Sequence, residues 1–150
     1  EVDFIFLLSL MIIDETDNAE YFLYKFNISK KDEKRLKTID FFYKEKLSIN
    51  NFTEKNFNKI FYFKGRQAVI DIINFKLFKS DKIEKKLIKL IRIYKDKIVP
   101  TMPIGANILI SKYNIPEGKK LGNKLKMIEE NWVQNGFEIS EKQIQKIIKS

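Results

Sequence analysis

The sequence contains no cysteine and no histidine among its 150 residues. Without cysteine the chain can form neither disulfide bonds nor thiolate metal sites. Without histidine it lacks the commonest protein ligand for transition metals and the commonest general base of enzymes. Any catalysis would therefore depend on carboxylates, lysine or tyrosine, which is a narrow set of groups.

Glycine and proline are scarce, with 5 and 3 residues, and no phosphate-binding loop is present. Such a loop needs four residues between its glycines, then Lys and Ser or Thr, after a strand. Here three residues separate Gly118 from Gly122, Asn123 follows, and no strand pattern precedes.

The acidic residues do not form a convincing catalytic or metal site. They are consecutive or nearly so, in turns or on helix surfaces, and lack supporting partners, so we expect neither catalytic nor metal-binding residues in this chain. Asp32 and Arg35 fit an i,i+3 salt bridge in the first turn of a helix better than a base-reading pair. The other acidic residues considered are Asp14, Glu15, Asp17, Glu129 and Glu130.

Hydrophobic residues make up 44% of the chain and phenylalanine alone numbers 13, which is ample material for a core. Lysine and arginine (29) outnumber aspartate and glutamate (20), giving a net charge of +9. This excess favours a polyanionic partner, either nucleic acid or an anionic membrane face, although it also serves plain solubility.

Apolar residues recur at helical spacing, and no strand alternation appears. The sequence therefore predicts an all-α fold, a compact array of about eight helices. The apolar run Phe4–Ile13 is about half the length needed to span a bilayer, so we read it as a core helix. We expect a soluble, cytoplasmic protein without membrane association.

Several residues indicate where helices begin and where the chain divides. Residues 67–78 are apolar nearly all round, which predicts the central helix. Pro100 and Pro103 mark a boundary between a partial helical body domain, residues 1–98, and a helical tail domain, residues 99–150. Predicted helix caps are Ser29, Thr53, Ser80 with Asp81, and Ser140.

Two aromatic runs, residues 41–43 and 61–63, could stack on nucleic-acid bases. Consecutive aromatic residues on one helix cannot all face one ligand. We therefore expect most of these rings to lie in the core.

Basic residues on two segments are the candidate binding site. One helix carries an apolar stripe that includes Ile83 and Ile98, with basic residues on its other side. A second helix, after the turn at residues 116–118, exposes free N–H groups near lysines and would attract anions. Gly122 could let a backbone approach closely, since it has no Cβ. The candidate residues are Lys85, Lys89, Arg92, Lys112, Lys119, Lys120, Asn123, Lys124 and Lys126.

Read in order, residues 6–39 and 60–78 resemble the body of the bacterial CCA-adding tRNA nucleotidyltransferase and poly(A) polymerase family, the class II nucleotidyltransferases. The first segment resembles the pattern Arg-x-Leu-Ser-Asn-x-Glu-x-x-Arg-Leu, with Lys30 where Asn is usual. The second has a Tyr-x-x-Gly turn and an Asp. The matching residues are Ser29, Glu33, Arg35, Leu36, Tyr62, Gly65 and Asp71.

Residues 102–140 resemble the tail signature of the same family, and this is the most specific part of the resemblance. Asn107 replaces an Asp, Asn114 replaces a Gly, and Glu117–Gly118 replaces Gly-Pro. The matching residues are Pro103, Gly105, Ile115, Pro116, Gly122 and Leu125.

The resemblance implies an RNA-binding portion without its catalytic head. The head of this family needs Gly-Gly-x-x-Arg-Asp and an Asp-x-Asp pair for Mg²⁺, and neither occurs here, nor does the Glu-Asp-x-x-Arg stretch that selects CTP or ATP. Body and tail would hold the acceptor arm and elbow of tRNA, and Mg²⁺ and nucleotide would bind only in the missing head.

These implications leave the activity and partners of the chain open. The chain alone is expected to be inactive, with its head supplied by preceding sequence or by a separately encoded chain. The alternatives are an inactive remnant of a split gene, or a basic helical module that binds a protein or a membrane surface.

Overall fold

The computed structural model describes residues 3–45 and 52–149. Within these ranges the chain forms nine α-helices and no strand, which confirms the predicted all-α class. The helix that the sequence did not indicate is the second, which is only eight residues long. The helices are α1 (Phe4–Ile12), α2 (Asn18–Lys25), α3 (Lys30–Lys44), α4 (Glu54–Lys64), α5 (Arg66–Phe78), α6 (Lys85–Asp96), α7 (Ala106–Tyr113), α8 (Lys119–Gln134) and α9 (Glu141–Lys149).

Three of the predicted helix caps are present. The Ser29 hydroxyl accepts from the backbone N–H of residue 32 at 3.2 Å, and Thr53 does the same for residue 56 at 3.3 Å. Ser140 and Gln143 form a reciprocal capping box, with bonds of 3.3 Å and 2.7 Å. These caps satisfy N–H groups that the first helical turn leaves without an intrahelical partner.

The predicted cap of α6 is wrong. This helix begins at Lys85, four residues after Asp81, and no side chain caps it. The Ser80 hydroxyl instead donates to the carbonyl of Lys76 at 2.6 Å, in the last turn of α5. Because α6 is shorter than predicted, Ile83 and Ile98 lie outside it and are exposed.

The prediction of a core helix at the start of the chain is only partly correct. Ser9 and Ile13 are buried in or beside α1. Phe4, Leu7 and Met11 are exposed, so α1 covers the core with one side only.

The body is built around α5, as its apolar composition predicts. Helices α1, α3, α4 and α6 all pack against it. Val69 and Ile73 of α5 are fully buried, in a cluster that also holds Phe61 of α4 and the aromatic ring of Tyr94 from α6. Burial of these side chains supplies the main driving force for folding of the body.

The tail has a separate apolar cluster and is joined to the body by α8. Leu109, Ile128 and Ile144 hold α7, α8 and α9 together. On its other side α8 packs against α4. There Trp132 meets the ring of Tyr62 at 5.4 Å between centroids in an edge-to-face contact, a favourable arrangement for aromatic pairs.

Candidate nucleic-acid interface

One exposed face of α6 carries three cations. Lys85, Lys89 and Arg92 follow each other at i, i+4 and i+7, so they lie on the same side of the helix. The opposite side is anchored in the body core by Leu87 and Leu90. In the described part of the chain none of the three cations makes an ion pair, so their charge is available to an external anion.

The start of α8 is a second basic region. The helix begins after Gly118 with no side-chain cap and no acidic residue in its first turn. Its first N–H groups therefore remain available, and they carry the partial positive charge of the helix N-terminus. Lys119, Asn123 and Lys126 share one exposed face at i, i+4 and i+7, with Lys120 exposed beside them.

Lys124, predicted as part of this site, has a different role in the structure. Its residue is only 8% exposed, and its ammonium donates to the backbone carbonyl of Ile147 at 2.7 Å. This carbonyl belongs to the last turn of α9, where the helix dipole attracts a cation. Lys124 ties α8 to α9 and is removed from the set of RNA-binding candidates.

Lys112 is also partnered, although it stays exposed. Its ammonium lies 3.0 Å from a carboxylate oxygen of Glu141, which also accepts from the hydroxyl of Tyr113. The hydrogen bond to Glu141 raises the pKa of Lys112 above its ordinary value. A pair this exposed contributes little to stability, so Lys112 could exchange Glu141 for an external anion.

The two basic regions lie on different parts of the molecule. The main neighbour of α6 is α5 in the body, whereas α8 lies between α4 and the tail helices. The helices α6 and α8 share no substantial packing contact within the described residues, so the candidate residues belong to two separate basic faces.

One position of the tail motif has a clear backbone role, and another does not. Asn114, where the family pattern has Gly, ends α7 in the left-handed conformation with φ of 53°. Asn tolerates this conformation better than most residues with a side chain. A Cβ added to Gly122 would meet nothing within 4 Å, so no described part of the chain requires a glycine there.

Two of the body residues that carry the resemblance, Arg35 and Asp71, belong to an ion-pair network. Arg35 does not pair with Asp32 as the spacing suggests. Its guanidinium instead binds the buried carboxylate of Asp71, with one N–O distance of 2.7 Å, and also the carboxylate of Asp3. The amide of Gln67 donates to the same Asp71 at 2.9 Å. The network fixes α1, α3 and α5 to one another and is structural.

The aromatic runs are mostly packing residues, with two exceptions. Phe61 and Phe42 contact the body core and Tyr62 packs on Trp132. Phe41 and Phe63 are 58% and 45% exposed and line the same groove between α3 and α4. Sequence reasoning missed this groove because its two rings are more than twenty residues apart.

The described residues offer neither a metal site nor a membrane-spanning helix. Residues 3–45 and 52–149 contain no group of three or more acidic side chains placed to hold a metal ion. In the same ranges no helix has the length and apolar character needed to cross a bilayer. Comparison of the chain with protein-family models, curated proteins and solved structures gives no match.

Proposed function

We propose that this chain binds folded RNA, as the tRNA-binding body and tail portion of a tRNA nucleotidyltransferase or poly(A) polymerase. The observation that carries the proposal is the row of Lys85, Lys89 and Arg92 on α6, which make no ion pair within residues 3–45 and 52–149, together with the uncapped, lysine-rich start of α8. The sequence resemblance to that family supplies the identity of the RNA. The net charge of +9 supports a polyanionic partner independently.

Contacts of this kind position an RNA without reading its sequence. Lys85 and Arg92 are seven residues apart, so their row covers about 10 Å of helix. Ammonium and guanidinium groups on such a row neutralise phosphates along a strand, whereas base recognition needs different geometry. Two separate basic faces would contact two parts of one large ligand, as expected for the acceptor arm and elbow of tRNA.

Nucleotide addition would be performed by a separate head domain. The proposal predicts that the purified chain, given tRNA lacking its 3′ end, CTP, ATP and Mg²⁺, forms no extended product. Extension of the tRNA by a preparation free of host enzyme would contradict it.

Binding is tested by titrating labelled tRNA with the chain at increasing salt concentration. Each phosphate that a cation neutralises makes the logarithm of affinity fall with the logarithm of salt, with a slope of about −0.7 to −0.9. Changing Lys85, Lys89 and Arg92 together to Gln should therefore weaken binding and reduce the slope by about 2 to 3.

Helix α9 offers a matched control for this variant. Lys142, Lys146 and Lys149 are exposed and have the same i, i+4, i+7 spacing. Changing these three to Gln removes the same charge from a different surface, and tRNA affinity should fall much less. Equal losses in the two triple variants would mean diffuse attraction by net charge, and would refute a specific α6 face.

The start of α8 is tested by reversing Lys119 and Lys120 to Glu. Acidic side chains are well tolerated in the first turn of a helix, so fold stability should change by less than about 1 kcal/mol. The affinity for tRNA should fall severalfold, because the phosphate now meets like charge. Salt-independent binding, or binding to acidic proteins or anionic vesicles but not to tRNA, would favour the rival basic module.

A further inference from the structure

A groove between α3 and α4 lies apart from the two basic faces. Both helices pack against α5, and residues from each of them line the groove, which has a volume of about 750 Å³. The apolar part of its lining, called the floor below, is mostly aromatic and consists of Phe41, Phe42, Ile60 and Phe63. On α3 the groove extends from residue 30 to residue 42, which corresponds to about 18 Å of helix.

Each exposed ring of the floor packs against a neighbouring aromatic ring of the same run. Phe41 meets the ring of Phe42 edge-to-face at 5.5 Å, and Phe63 meets Tyr62 in the same way at 4.9 Å. Phe42 and Tyr62 are themselves packed into the core and against Trp132. Each aromatic run thus places one ring in the groove and anchors it with its neighbour.

Lysines from both α3 and α4 line the groove, and they are called its walls below. Glu33 is the single acidic residue among the described residues that line it, and Lys37 neutralises this carboxylate. Lys34, Lys59 and Lys64 make no ion pair within residues 3–45 and 52–149. The five lysines of the walls are Lys30, Lys34, Lys37, Lys59 and Lys64.

The basic character continues beyond both ends. Two adjoining depressions share some of these lining residues. One adds Lys55, near the start of α4, and the other adds Lys31 of α3, which lines it together with Lys64 at the end of α4. A ligand that followed the groove would meet ammonium groups along its whole length. This charge pattern complements a strand with regularly spaced anions.

Aromatic rings with flanking lysines fit an unpaired nucleic-acid strand better than a duplex. In a duplex the base faces are stacked on each other, so protein rings cannot reach them, and proteins contact mainly the phosphates and the 2′-hydroxyls. In a single strand the phosphates follow a positive groove while successive bases stack on aromatic side chains. An acidic amphipathic helix would also meet lysines, but it calls for apolar pockets at helical spacing, whereas Thr38 interrupts the apolar lining.

We propose that the α3–α4 groove binds a short unpaired stretch of RNA, with Phe41 and Phe63 stacking on its bases and the wall lysines contacting its phosphates. The inference rests on the proposed RNA-binding function and extends it to a second class of RNA structure. The groove is separate from the α6 and α8 faces, so the two proposals can fail independently.

The test measures fluorescence anisotropy of a short labelled oligouridylate titrated with the intact chain. Removal of each stacking ring, in Phe41→Ala and Phe63→Ala, should weaken binding about tenfold. Phe41→Trp should restore or exceed the parental affinity, because a larger ring still stacks. Both positions are exposed, so circular dichroism of the variants should match the parent.

The matched control removes two exposed aromatic rings elsewhere, with Phe4→Ala on α1 and Tyr24→Ala on α2. This double variant should bind the oligonucleotide like the parent. The α6 triple Gln variant should also keep oligonucleotide binding while its tRNA binding weakens, which separates this inference from the proposed function.

Three outcomes would overturn the inference. One is oligonucleotide affinity that does not change when both groove rings are lost. Another is competition by a fully paired RNA duplex as effective as that by the single strand. The third is no oligonucleotide binding together with groove-dependent binding of an acidic amphipathic peptide, which would assign the groove to a protein partner.

Discussion

Trp132 offers the sharpest test of how the tail is fixed to the body. It is only 2% exposed, and its ring contacts Tyr62 at 5.4 Å and Phe137 at 5.1 Å between centroids. Phe137 in turn packs against the body core. Trp132→Ala would therefore open a cavity between α8 and α4 rather than inside the tail alone.

The magnitude follows from the area that the indole buries. An aromatic side chain of this kind buries about 150–250 Å², which corresponds to about 4–6 kcal/mol of transfer free energy at 25 cal/mol per Å². Truncations of buried Trp or Phe to Ala cost about 3–5 kcal/mol. We expect Trp132→Ala to lower the free energy of unfolding by about 3–5 kcal/mol.

The assay is urea unfolding followed by far-UV circular dichroism, because the variant loses the single tryptophan of the chain. Met127→Ala on the same helix is the control. Met127 is exposed, so its truncation should change stability by no more than about 0.5 kcal/mol. Trp132→Phe should fall between the two. A loss below about 1 kcal/mol in Trp132→Ala would refute the buried contact between tail and body.

Four further predictions concern stability. Asp71→Asn should cost about 3 kcal/mol in urea unfolding, because it leaves the guanidinium of Arg35 with Asp3 alone; an unchanged midpoint would contradict the buried ion pair. Lys124→Met should cost about 1–3 kcal/mol but leave tRNA affinity unchanged at temperatures where the variant is folded; a selective loss of binding would return Lys124 to the interface. The hydrogen bond from Arg35 lowers the pKa of Asp3 below its ordinary value of 3.8, so the stability that this pair contributes is complete above pH 3.8 and is lost as the pH falls through the lower pKa of the folded state. The difference in unfolding free energy between the parent and Asp3→Asn should therefore shrink in acid. A difference that grows in acid would contradict this assignment. Gly122→Ala should raise stability by about 0.5–1 kcal/mol, measured in the same way, since a helix interior favours Ala and the added methyl meets open space; a loss would show that the position is crowded.

Local sequence determined the helices and most of their limits. Ser29, Thr53 and Ser140 cap helices as predicted, because a cap depends on residues only three positions apart. The apolar composition of residues 67–78 marked α5 as the central helix. The start of α6 was mispredicted because Ser80 found a competing partner, the carbonyl of Lys76 in the preceding helix.

Tertiary structure alone decided which charged and aromatic residues are available for binding. Lysines look alike in sequence, yet Lys124 is buried against Ile147 while Lys120, four residues earlier, is exposed. Which lysine meets a helix end depends on how α8 and α9 cross, and local periodicity does not contain that angle. Likewise Phe41 and Phe63 come from separate helices, and only the packing of α3 and α4 against α5 places both rings in one groove.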